Sequence, residues 1–379
     1  MHMLLLDVIH NVCSSFSKAC LPFSMSSPSG PFATVAAMNL TSTAWRVANL
    51  TAPFAVFQDA AKSLFGSSPS LQLVHENKTH PFAHEAGVFF PQTNSLFITS
   101  NQFKDPASGS VRIVITRVTL SNGTGPVHTE EVHTDHVPMA NGGVNYKDGM
   151  LLCAQGTKNS SGGLSFMQPR APYKSELLLT GFHGRDFNSV NDVVVHADGS
   201  VWFTDPIYGF EQGLRPQPRL PSQVYRWDPA RKSVRPVADG FGRPNGIAFS
   251  PDQKTLYVTD TDWIHGDGSK VDTRVSSIYA FDVTDHGGQP SLTNRRLFAM
   301  ADTGAPDGIK CDVHGNVYAG CGDGISVWSA GGELLGKILI KGGAANFAFG
   351  RNGEMFIMNE HKLWRAQLAQ STKGALLNI

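Results

Sequence analysis

Two carboxylates and four amides recur at matched places along the chain. Glu85, Asn141, Asn191, Asn245, Asp307 and Asn346 each open a short apolar run, at steps of 39 to 62 residues. Brought to one point, these side chains would offer only hard oxygen donors, with no Cys or His among them. Such a set favours Ca²⁺, then Mg²⁺ or Mn²⁺, over zinc or copper. Carboxylates and amides crowded into a narrow space would repel one another and lose solvation unless a cation lay among them. Glu85 and Asp307 together would neutralise a divalent ion. The competing reading makes all six simple polar caps, hydrogen-bonded to neighbouring backbone.

Other chemistries are poorly supported. There is no G-x-S-x-G nucleophile elbow and no G-x-x-x-x-G-K-[ST] phosphate loop, and the HEAGV run at His84 lacks the second His of a zinc helix. The run GCGDG at 320–324 looks like a nucleotide motif without a following helix and reads as a turn. DTDWIHGDG at 260–268 opens like a calcium loop, but Ile264 stands where a third oxygen ligand is needed. That loop reads as a substrate rim, with a second ion site as the lesser alternative.

What positions the six anchors is a repeated hairpin. Each anchor heads an apolar strand, a turn containing Gly, Asn or Asp follows about eight residues on, and a second run such as VWF or LYV resumes. Four strands fit a period of about 40 to 60 residues, which marks radial repetition. The expected fold is all-β, a six-bladed β-propeller of four-stranded blades around a central metal-binding channel. Residues 46–379 would form it, behind an N-terminal extension at 1–45. All six anchors should meet at one mouth, rimmed by the segments after each second strand. Three of these are long: TKNSSGGLSFMQPRAPY, PIYGFEQGLRPQPRLPSQ and TDWIHGDGSKVDTRVSS.

With 31 basic and 31 acidic residues the chain carries no net charge, so neither a nucleic-acid nor an anionic-membrane partner is expected. No run reaches the roughly 20 apolar residues of a membrane span. The extension is Ser-rich, and its apolar stretch Met3–Ile9 contains Asp7 and lacks a basic head, which makes a poor secretory signal. Against that stand five N-x-[ST] sequons, at Asn39, Asn49, Asn77, Asn122 and Asn159, which weakly favour a secreted glycoprotein over a cytoplasmic protein. Cys153, Cys311 and Cys321 read as buried thiols, and Cys13 with Cys20 as a candidate bridge.

The combination of HEAGVFF, FNSVNDVVVHADGSVWFTDP, RPNGIAFSPDQKTLYVTDT and APDGIKCDVHGNVYAGCGDGISVW resembles the SMP-30/gluconolactonase (LRE-like) family, and within it the fungal lactonohydrolase-like branch. The resemblance spans roughly 80–364. It implies a propeller with one catalytic divalent ion, Ca²⁺ or Zn²⁺, that hydrolyses sugar-type or related lactones. It also implies Glu85, Asn245 and Asp307 as ligands, with Asn191 near the ion or the substrate. Asp307 would be the general base, with Glu85 beside it as the second catalytic carboxylate. Asn141, Asn191 and Asn346 would hold substrate hydroxyls or complete the ion's shell. A lactone is a cyclic ester, so its carbonyl must be polarised, a water activated and an oxyanion stabilised. The alternative is a non-catalytic or strictosidine-synthase-like propeller that binds a small ligand over an ion plug. The partner is then a small molecule in either case, and oligomeric state is not legible.

His84 neighbours Glu85, but adjacent strand residues point to opposite faces, which favours a blade residue over a catalyst. It is retained as a substrate-contact candidate. Trp263, with Tyr208 and Phe210, would stack on a ring from the rim, implying a roomier or more apolar ligand than a plain sugar lactone. Asp205 and Asp260 each end a second strand in a T-D pair and read as turn caps. His361 reaches the mouth only if its loop folds inwards.

Overall fold

Continuous apolar runs closed by tight turns make the inner strands of this protein, and the second strand of every blade is buried almost end to end, as at Val201–Asp205 and Val317–Cys321. A computed structural model describes residues 32–34, 53–121 and 125–379. Cys13, Cys20, Asn39, Asn49 and Asn122 lie outside the described residues.

Six sheets radiate from a central channel, antiparallel throughout except for the outermost pairing of the fifth. The second blade is typical: Ala140–Tyr146, Gly149–Ala154, Gly163–Met167 and Ser175–Leu179 pair in chain order from the channel outwards. The first, third and fourth repeat that order from Glu85–Phe90, Val193–Val195 and Pro244–Phe249. The fifth differs. Beyond its four strands, Ile309–Cys311 to Leu334–Leu339, it gains Phe54–Val56 and then Phe32–Thr34, making six. In the sixth blade, Asn346–Phe349, Glu354–Asn359 and Lys362–Gln367 are completed on the outside by Ser70–Glu76 from the N-terminal side of the ring. That strand joins the two ends of the propeller by hydrogen bonds.

The core is divided among the gaps between blades. Trp202 and Phe281 pack in the gap between the third and fourth blades, and Tyr318 and Phe347 in that between the fifth and sixth. At the far end of the inner strands the segment 374–379 lines the channel. The Ala375 N–H donates to the Cys311 carbonyl at 2.9 Å, and Leu377 and Ile379 pack on the group containing Ala348 and Phe356. Cys153, Cys311 and Cys321 are buried free thiols. Among the described residues no helix is long and apolar enough to cross a membrane.

Candidate active site

The near mouth of the channel opens into a pocket of about 530 Å³, and Glu85, Asn141, Asn191, Asn245 and Asp307 all line it. They arrive there because each stands at or just before the head of an inner strand. Side-chain hydroxyls then tie blade to blade. Thr99 donates to the Asn141 carbonyl at 3.0 Å, Thr204 to that of Asn245 at 2.6 Å, and Thr259 to that of Asp307 at 2.9 Å. The Thr of the recurring T-D and T-S pairs therefore fixes the next blade's anchor.

Glycine after an anchor has a matching role. A Cβ on Gly142 would lie 2.5 Å from the Asn191 carbonyl oxygen, one on Gly246 2.3 Å from that of Asp307, and one on Gly308 2.2 Å from Asn346 Cγ. The anchors close up because these positions have no side chain. Gly308→Ala is therefore expected to displace Asn346 and cost about 1–3 kcal/mol by overpacking. Equilibrium denaturation measures this, and an unchanged midpoint would mean Asn346 has room to move.

The oxygens converge without partners. Asn141 Oδ1, Asn191 Oδ1, Asn245 Oδ1 and Asp307 Oδ1 are buried and accept no hydrogen bond. Buried polar atoms are rarely left so, because desolvation is then uncompensated. Burial, with the Glu85 carboxylate beside it, pushes the Asp307 carboxyl well above the usual carboxylate range, and His84 pulls the other way. Four unmatched acceptors near a second carboxylate fit a hard divalent cation. Among the described residues no three Asp, Glu, His or Cys side chains are grouped to hold a metal. An ion here would thus rest on two carboxylates and amide oxygens, a set suited to Ca²⁺ better than to zinc.

Asn346 does not line this pocket. It is fully buried, its Nδ2 donates to Glu85 Oε2 at 2.8 Å, and its Oδ1 accepts the Phe347 N–H at 2.8 Å. With both ends engaged it orients Glu85 and leaves nothing for a substrate. Asn245 is turned in the same manner, with Nδ2 towards Thr261 Oγ1 at 3.4 Å and Oδ1 left for the channel.

His84 lines the same pocket as Glu85, against the expectation from strand alternation. The strand begins only at Glu85, and its ladder slips between Ala86 and Val88, where Ala86 and Gly87 take φ of 68° and 79°. A distorted ladder does not alternate. His84 Nδ1 meets Glu360 Oε1 at 2.8 Å, and Asn101 Nδ2 donates to Glu360 Oε2 at 3.2 Å. Desolvation disfavours charge on His84, but Glu360, backed by Glu85 and Asp307, outweighs it and lifts the imidazole to about 10. Glu360 was not foreseen. Its only signal is an acidic residue in the tight Asn359–His361 turn, at φ 56°, where Asn or Gly is usual. His361 points elsewhere, with Nδ1 on the Asn77 carbonyl at 2.7 Å.

The rim is built by the loops of the third and fourth blades. The buried Arg243 guanidinium pairs with Glu211 of the short helix Tyr208–Glu211 and with Asp262, and the Gly266 N–H donates to Glu211 Oε2 at 2.8 Å. Tyr208 Oη lies 2.5 Å from Thr261 Oγ1. Asp260 accepts the backbone N–H of Gly242 and Arg243, and Asp205 those of Asn188 and Ser189, so each holds the segment that enters its own blade's inner strand and does not cap a turn beside it. Asp260 and Asp262 are so engaged, and among the described residues no three Asp, Glu, His or Cys side chains are grouped in the 260–268 loop to hold an ion. Trp263 lines the pocket, with Nε1 donating to Asp272 Oδ1 at 3.0 Å.

The SMP-30/Gluconolactonase/LRE-like region profile matches residues 75–360. The chain is 30% identical over 315 residues to the lactonohydrolase oryL of Aspergillus oryzae, covering 77% of this chain and 68% of that one. It is 30% identical over 204 residues to the gluconolactonase of Zymomonas mobilis, covering 50% of this chain and 53% of that one. Among solved structures, the gluconolactonase XC5397 of Xanthomonas campestris superposes with a TM-score of 0.65 at 27% identity, over 83% of this chain and 94% of that one.

Proposed function

The chain belongs to the SMP-30/gluconolactonase/LRE-like family, and from that premise we propose that it is a lactonase whose hydrolytic centre is the oxygen ring of Glu85, Asn141, Asn191, Asn245 and Asp307. The observation that carries this reading is the set of four buried, partnerless oxygens facing one pocket. Relatives named lactonohydrolase and gluconolactonase support the reaction class. Glu85, Asn191, Asn245 and Asp307 would hold one divalent ion, Ca²⁺ by the chemistry of the donors. When bound, that ion supplies polarisation of the lactone carbonyl and charge stabilisation for the oxyanion.

The rest falls to the chain. Asp307 would take a proton from the water that attacks the carbonyl carbon. The proton then passes to the ring oxygen as the C–O bond breaks, giving the hydroxy acid. Asn346 holds Glu85 in place, and the His84–Glu360 pair sits on the substrate side of the pocket, where it can hold a hydroxyl or the carbonyl oxygen. Asn141 completes the amide wall.

A lactone panel with and without chelator tests the proposal. Hydrolysis of an aldonolactone or aryl lactone should fall by more than about 10²-fold on chelation and return with added Ca²⁺. Ion-dependent melting without turnover of any lactone would make the protein a ligand-binding propeller instead.

A further inference from the structure

Two more polar atoms in the pocket are buried and partnerless, and they stand on the rim, away from the anchors. They are Gln212 Oε1 and His265 Nε2. Gln212 closes the helix Tyr208–Glu211, and His265 follows Trp263 in the fourth-blade loop. Both loops are held rigid. The Arg243–Glu211 pair and the Gly266–Glu211 hydrogen bond clasp one to the other, and the His265 N–H donates to the Ser269 carbonyl at 2.9 Å. A stiff wall with unmatched polar atoms is preorganised for a ligand that supplies the missing bonds.

The chemistry of that ligand follows from the neighbours. A hydroxyl can donate to Gln212 Oε1 and either donate to or accept from His265 Nε2. Trp263, its indole N–H fixed by Asp272 and Lys270 Nζ 4.9 Å from the ring centroid, adds a rigid aromatic surface to the same pocket. Hydroxyl contacts beside an aromatic ring suit a saturated, hydroxylated ring whose C–H face rests on the indole. The pocket of about 530 Å³ falls in the range of roughly 300–1,000 Å³ that takes drug-sized ligands.

We propose that the Gln212–His265–Trp263 wall is a subsite for a second hydroxylated ring, so that the preferred substrate is a glycosylated aldonolactone, the lactone of an oxidised disaccharide. This rests on the lactonase reading and names its substrate class. It places the protein after a reaction that oxidises the reducing end of a disaccharide.

Two measurements test it. First, kcat/KM for cellobiono-δ-lactone should exceed that for glucono-δ-lactone by at least about tenfold, the effect of one or two well-placed hydrogen bonds. His265→Ala and Gln212→Ala should each reduce that ratio severalfold. Second, calorimetry with the ring-opened acids should show cellobionate binding at least about tenfold tighter than gluconate, with the difference shrinking in His265→Ala. A ratio at or below one, or a ratio unchanged in both variants, overturns the subsite while leaving the lactonase reading in place. If neither lactone is hydrolysed the lactonase reading falls, and calorimetry still decides: equal binding of the two acids overturns the subsite, and tighter cellobionate binding that depends on His265 supports it.

Discussion

Asp307→Asn is expected to lower kcat for lactone hydrolysis by about 10²- to 10⁴-fold, the usual worth of general-base assistance, in a protein that still folds. The substitution is nearly isosteric and keeps an oxygen for the anchor ring. Thr259 holds the main-chain carbonyl of residue 307, not its side chain, so the link between the fourth and fifth blades survives. What is lost is the carboxylate proposed as the base for the attacking water. Stability should move in the opposite direction. In the presence of chelator the parent confines Asp307 with Glu85 in a desolvated pocket, and an amide relieves that repulsion, so the variant should melt no lower than the parent. Turnover within tenfold of the parent would remove Asp307 from the base role.

Glu85→Gln should weaken Ca²⁺ binding by more than about 10²-fold and abolish hydrolysis with it, because it removes one of the two charges facing the ion. Asn346 makes the loss sharper. Its Nδ2 already donates to Glu85 Oε2, so a glutamine must either turn its own NH₂ against that donor or turn it towards the ion. Asn346→Ala tests the supporting contact alone and should weaken binding by about 10- to 100-fold, as outer-shell changes do. Isothermal calorimetry with Ca²⁺ reads both without any substrate. A dissociation constant unchanged in Glu85→Gln would place the ion elsewhere or nowhere.

The sequence displays the anchors and the blades because both follow from a regular repeat. Polar head, apolar strand, turn and second strand recur six times, and in three blades a Thr near the end of the second strand ties down the next blade's anchor. Four features escape that reasoning, each for a physical reason. His84 reaches the pocket because the ladder slips at Ala86 and Val88, and a side chain's face cannot be read by alternation where a strand is distorted. Asn346 looks like its five fellows, yet it is drawn behind Glu85, a contact 261 residues away in sequence. Glu360 and the Arg243 clasp are set by loops, whose course is determined by partners in other blades.

Ring closure has a mechanical consequence. The propeller is shut where Ser70–Glu76 pairs with Lys362–Gln367, and Phe54–Val56 on Leu334–Leu339 ties the same N-terminal side to the fifth blade. Across the adjoining gap the first and sixth blades are also bridged by Glu85 with Asn346 and by His84 with Glu360. The acid that would hold the cation is therefore also a fastener of the ring. An ion bound by the first, third, fourth and fifth blades would act as a hub, adding a link across the channel to the hydroxyl ties and gap packing between neighbours, so the hydrolytic centre and the resistance of the circle to opening would rise and fall together.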